Sequence, residues 1–124
     1  MENERINLID YKGFLIHIID YSGFIYANDF MNQITKVDAF NREQIEKGRT
    51  DFLILSDLTN SYVFGEPLQK LRESGNIIKN YVKKTALLGI NNPKKTLLNT
   101  TNLILRLNIK PFNSKEEALE WLIS

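Results

Sequence analysis

The chain of 124 residues predicts a single α/β domain, with a mixed, mainly parallel five-stranded sheet and about four helices in the order ββαβαβαβα. Three observations carry this. Apolar, often β-branched runs of strand length recur at residues 6–10, 14–21, 52–55, 85–90 and 109–112. Stretches with helical spacing of apolar residues follow the second and each later run. Only the first two runs are near enough for a hairpin, so the others need crossovers and pair in parallel. A chain of this length fills one core and not two, which gives one domain spanning 1–124.

The elements follow in order. Runs 6–10 and 14–21 are joined by Tyr11-Lys12-Gly13, a connection ending in glycine that signals a hairpin. Phe14, Ile16 and Ile18 alternate with Leu15, His17 and Ile19, so both faces of the second strand are covered and it lies inside the sheet. After the break at Tyr21-Ser22-Gly23, Asn28 fits the N-cap of a helix carrying Phe30, Ile34, Val37 and Ile45, with Gly48 as its stop. Asp38 and Asn41 interrupt that stripe, which suits one bent helix or two short ones. Phe52-Leu53-Ile54-Leu55 is unbroken and apolar, as in a strand covered on both sides, and it runs into the polar cluster Ser56–Ser61.

Pro67 suits the first turn of a helix bearing Leu68, Leu71, Ile78 and Val82, with Gly75 on the same stripe. Residues 85–90 form the next strand, and Pro93 opens a helix over about 93–107. Ile109–Phe112 is a short last strand. Ser114 and Glu117 have capping-box spacing ahead of Ala118, Leu119, Trp121 and Leu122.

Composition narrows the function. The chain is 43% hydrophobic and 25% charged, with net charge +1, which gives no general attraction to nucleic acid or membrane. With no cysteine there is no disulfide framework, thiolate metal site or cysteine nucleophile. His17 is the one histidine, in mid-strand, so it reads as packing rather than as a metal ligand or catalytic base, and neither a metal nor a cofactor is expected. The opening MENERINLID has acids where a secretory signal needs a basic start, and the expected compartment is the cytoplasm.

The strand FLILSDLT with its polar loop and helix, the strand TALLGI and the ending IKPFNSKEEALEWLIS together resemble the STAS-like proteins, in the branch of the sporulation anti-sigma-factor antagonist. The most specific piece is F-x-S-x-E-E-A-x-x-W-L at residues 112–122. The resemblance implies a non-catalytic interaction module that binds a protein, such as an anti-sigma-type kinase, through the loop after the central strand. Signalling members of that family carry a phosphorylated serine in Asp-Ser-Ser-Gly at the start of the next helix. Asp57-Leu58-Thr59 resembles the approach to that motif, but the chain continues Asn60-Ser61-Tyr62-Val63-Phe64-Gly65-Glu66 and lacks it. A phosphoacceptor role passes by resemblance to Thr59 or Ser61, with Glu66 standing where phosphate charge would sit. Asp57, Thr59, Asn60, Ser61 and Glu66 are the expected contact residues, and a homodimer stays open. Other relatives of the fold resemble the CRAL-TRIO lipid-binding proteins, which implies the alternative of an apolar or amphipathic small molecule between helices and sheet. An enzyme ranks third, since no convergent catalytic set is visible.

Two further patterns concern anions. Residues 89–96 approximate a P-loop, but Lys94 replaces the second glycine and Pro93 removes a backbone donor. Lys94, Lys95 and Thr96 at a helix start form a candidate anion site, since lysines there oppose the macrodipole: either the helix starts later or an anion docks at that end. From Ser74 to Lys115 the chain carries Lys79, Lys83, Lys84, Lys94, Lys95, Arg106, Lys110 and Lys115 and no acid. Solvated helix ends explain such a run, and Lys83 and Lys84 fit a helix C-terminus. With Tyr81 and Phe112 as its aromatics, the run offers little stacking surface for nucleic acid.

Overall fold

The structure, a computed structural model, describes residues 4–90 and 108–124. Its elements are β1 (Ile6–Tyr11), β2 (Phe14–Asp20), α1 (Ala27–Glu46), β3 (Phe52–Asp57), α2 (Gly65–Ile78), a 3-10 turn (Lys79–Tyr81), β4 (Val82–Leu88), β5 (Ile109–Phe112) and α3 (Lys115–Leu122). The sheet runs β1-β2-β3-β4-β5; β1 is antiparallel to β2 and the remaining neighbours are parallel. The chain is therefore α/β with a five-stranded mixed sheet, as the sequence predicts, and three helices are described. The fourth expected helix, over 93–107, lies outside the described residues, as do Lys94, Lys95 and Thr96.

Strand order fixes where the helices go. Each crossover from β2 through β4 steps to the next strand in the same direction, and right-handed crossovers then place their helices on one face. α1 and α2 accordingly pack against each other. They cover a core that includes Ile19, Phe30, Ile34, Phe52, Ile54 and Leu87. α3 covers the opposite face, where Ala118, Leu119 and Leu122 meet Ile16, Leu53, Leu55 and Ala86. Alternate residues of β3 enter the two cores, which is why Phe52–Leu55 is apolar without interruption.

Local chemistry departs from the sequence reading in four places. The hairpin turn has two residues, Lys12 (φ 52°) and Gly13 (φ 89°), because Tyr11 already pairs with Phe14. Two consecutive positive φ values are those of a type I′ turn, whose twist matches the strands. α1 is one helix with Tyr26 as its N-cap residue, not Asn28, and its buried stripe continues through the polar residues Gln33, Asn41 and Gln44. α2 starts at Gly65, which puts Pro67 in its first turn as expected, but it ends before Val82, which opens β4 instead. Lys83 and Lys84 consequently lie in β4, not at a helix end. The Lys84 ammonium nonetheless caps a helix: it donates to Trp121 O at 2.8 Å and Ser124 O at 2.9 Å, where α3 finishes. The predicted cap of α3 forms, with Glu117 N donating to Ser114 Oγ at 3.2 Å.

Candidate functional site

The four parallel strands end on one edge, so the tails of β2, β3 and β4 emerge side by side. Open α/β sheets hold ligands at such an edge where strand order reverses and adjacent connections leave on opposite faces. No reversal occurs among the described strands of this sheet. The tails therefore stay together and extend the ladder: Tyr21 N donates to Asp57 O at 2.8 Å, Gly23 N to Thr59 O at 2.9 Å and Leu58 N to Leu88 O at 2.9 Å. Gly89 follows at φ 79°, and a Cβ there would lie 2.4 Å from Thr59 N and 2.5 Å from Thr59 Cα. Only glycine lets these two backbones approach so closely.

The polar residues of this edge satisfy one another. Asp57 Oδ1 accepts from Thr59 N at 2.9 Å and from Thr59 Oγ1 at 2.5 Å. The neighbouring strand repeats the device, with Asp20 Oδ1 accepting from Ser22 N at 2.8 Å and Ser22 Oγ at 2.5 Å. Asp20 is paired with Asp57 in the ladder, so two Asp-x-Ser/Thr turns sit abreast. The Asp20 turn is a part of this edge that reading the fifties strand alone passes over. Its signal was present in the sequence as Asp20-Tyr21-Ser22 beside Asp57-Leu58-Thr59.

The five residues expected in the contact loop do not form one cluster. Thr59 and Asn60 are exposed and border a polar cleft of about 280 Å³ with Gly89, Asn113 and Lys115. Asn60 takes φ 60°, a left-handed turn conformation that asparagine tolerates. Glu66 is exposed in the first turn of α2, where its charge suits the macrodipole. Among the described residues no hydrogen bond joins it to Asp57, Thr59 or Asn60. Ser61 is different, being only 6% exposed. Its Oγ donates to Tyr21 O and accepts from Phe24 N at 2.9 Å, so it fastens one edge loop to the other. As a phosphoacceptor Ser61 is closed off; Thr59 is the accessible hydroxyl of the pair.

Besides Thr59 and Asn60, the edge presents apolar groups. Tyr62 N donates to Phe24 O at 2.8 Å, which ties the loop carrying Tyr62 to the one that continues into Ile25 and Tyr26, while the Tyr62 ring itself packs on Phe64 with centroids 4.7 Å apart. Tyr62, Ile25 and Tyr26 are 61%, 65% and 67% exposed, well above what a packed side chain shows.

A second feature lies away from the edge, beneath α1 and α2. A cavity of about 130 Å³ separates the helices from the sheet, with Val37, Ile54, Leu71, Ile78 and Leu87 among its walls. Tyr21, Asp38, Asn41, Arg72 and Lys79 give it polar points. Asn41 is 4% exposed. Its Oδ1 and the buried Nε of Arg72 find no hydrogen-bond partner among the described residues. Burial, and then the charge of Asp38, push the Tyr21 hydroxyl far above its ordinary range, so it stays protonated.

His17 is on the same face of the sheet, 0% exposed, with ring centroids 4.6 Å from Phe52 and 5.3 Å from Phe40. Neither ring nitrogen is hydrogen-bonded among the described residues. Burial, and then the Arg49 guanidinium, hold its pKa down to about 4, with the Asn41 amide pulling weakly the other way without closing a bond. At neutral pH it is an uncharged aromatic packing group.

Among the described residues no group of three or more histidines, cysteines, aspartates or glutamates could hold a metal ion, and no helix is long and apolar enough to cross a membrane. Comparison of the chain with models of protein families, with curated proteins and with solved structures finds no match.

Proposed function

We infer that the chain is a non-catalytic interaction module of the STAS-like kind, which binds a protein partner through the carboxyl edge of its sheet. The observation that carries this is the exposure of Ile25, Tyr26 and Tyr62 on two edge loops that the bond from Tyr62 N to Phe24 O joins. Exposed apolar groups gathered at one place mark interaction surfaces, and tyrosine is among the residues that most often anchor them. The hydroxyls and carboxylates of the loop act behind this surface, as the scaffold that aims it. Thr59 is the residue at which phosphorylation would alter the surface, by adding charge to the exposed part of the loop between β3 and α2. An anti-sigma-type kinase in the reducing compartment of a cell is the partner the resemblance suggests.

The test is photocrosslinking in cells that make the protein, with the photoreactive residue at position 62 or, as a control, at Ile77, which is 75% exposed on α2. A discrete protein adduct from position 62 and none from 77 supports the reading. Adducts from 77 alone, or from neither position, refute it.

A second reading, the binding of an apolar or amphipathic small molecule, is favoured by the cavity beneath α1 and α2. It sits between helices and sheet, where the alternative drawn from the sequence expects it.

A further inference from the structure

We propose that the cavity beneath α1 and α2 is a binding site for a small organic carboxylate, its apolar body against the sheet and its head group on Arg72. This rests on the second reading above and names the class of ligand.

The size and lining of the space set the body of the ligand. At about 130 Å³ it is close to the ~150 Å³ apolar cavity that takes up benzene. Ile54 and Leu87 from the sheet, Val37 from α1 and Leu71 and Ile78 from α2 offer it no hydrogen bonds. A single aromatic ring or a short alkyl chain fits within such a space.

The head group follows from what the cavity leaves unmatched. A buried donor without an acceptor is costly, and more so on a charged group. Arg72 Nε is such a donor, and among the described residues no carboxylate lies within ion-pair distance of its guanidinium. A ligand carboxylate supplies the acceptor, in the charge-assisted geometry that guanidinium groups favour. Lys79 adds a second positive charge to the lining and Asp38 one negative charge, so the cavity's formal balance favours an anion. On α1, Asn41 Oδ1 is unmatched in the opposite sense, as an acceptor, and takes a donor from a hydroxyl on the ligand or from a water carried in with its head group.

Asp38 also makes the competing assignment definite, since an amine would turn to Asp38. The experiment therefore compares benzoate, benzyl alcohol and benzylamine, which share one body, by thermal shift and calorimetric titration at fixed ionic strength. The expected result is a rise in Tm with benzoate that exceeds the rise with the alcohol and the amine, because a ligand selective for the folded state stabilises it. Arg72→Met should weaken benzoate by roughly 10-fold or more and leave benzyl alcohol almost unchanged. Val37→Phe, which fills the cavity from α1, should remove all binding while the far-ultraviolet circular dichroism stays that of the parent chain. Benzoate bound equally by the parent and Arg72→Met, or the amine bound best, overturns the carboxylate assignment and leaves the small-molecule reading standing. Failure of all three compounds to bind overturns both.

Discussion

The carboxyl edge of the sheet and the space beneath α1 and α2 both carry polar side chains and resolve them in opposite ways. At the edge, Asp20, Asp57, Ser22, Thr59 and Ser61 exchange hydrogen bonds with one another and with the loop backbone. Beneath the helices, Asn41 Oδ1 and Arg72 Nε remain unmatched among the described residues. A cluster of hydroxyls and carboxylates after a strand is thus no evidence of a polar binding site until its local partners are counted. Here the edge uses most of its polar residues to hold a shape, and it exposes Ile25, Tyr26 and Tyr62 in addition to Thr59 and Asn60. The unmet chemical demand lies in the interior.

The largest effect should come from the tightest contact of the edge. Gly89→Val demands a Cβ 2.4 Å from Thr59 N at φ 79°, and should lower stability by about 3 kcal/mol or more in urea unfolding. A loss below ~1 kcal/mol would show that the tails of β3 and β4 are less closely joined than described.

The interior gives the next. His17 titrates near its usual 6.5 when unfolded and at about 4 when folded. Between these values the unfolded chain binds more protons, so the contribution of neutral His17 is complete above pH 6.5 and is lost as pH falls to about 4. The loss amounts to about 3 kcal/mol, and His17→Leu should remove that part of the acid slope. An unchanged slope would place His17 among solvated groups.

Within the edge, the two hydroxyls separate scaffold from surface. Ser61→Ala leaves Phe24 N–H and Tyr21 O without their partner and should cost about 2 kcal/mol, whereas Thr59→Val, at an exposed position, should cost less than ~1 kcal/mol. Phosphate mapped by mass spectrometry after exposure to cell extract should fall on Thr59 and spare Ser61. The smallest stability effect belongs to the apolar trio: Tyr62→Ser should shift unfolding by less than ~0.5 kcal/mol and still abolish the crosslinked partner.

Much of this architecture could be read from the chain. Phe52–Leu55 announces a strand covered twice, Tyr11-Lys12-Gly13 a hairpin, though one residue longer in its turn than the one that forms, and Ser114 with Glu117 a capped helix, because each depends on neighbours in sequence. Where the reading fell short, the cause was tertiary. Gln33, Asn41 and Gln44 are buried polar residues on α1, so a count of apolar positions breaks the helix there. Val82 keeps helical spacing with Ile78, yet the 3-10 turn at Lys79–Tyr81 hands it to β4. The pairing of the two Asp-x-Ser/Thr turns needs the parallel register of β2 and β3, and the meeting of Asn41 with Arg72 around one cavity needs the packing of α1 on α2. The closure of Ser61 likewise depends on Tyr21 and Phe24, which come from the far end of another connection.

The contrast between a self-satisfied edge and an unsatisfied interior is tested most directly by amide hydrogen exchange, with and without saturating benzoate. Protection should rise in the α1 segment around residues 37–41 and the α2 segment around 71–78, with residues 57–63 unchanged. Protection that rises at 57–63 and leaves both helices as they were would contradict it.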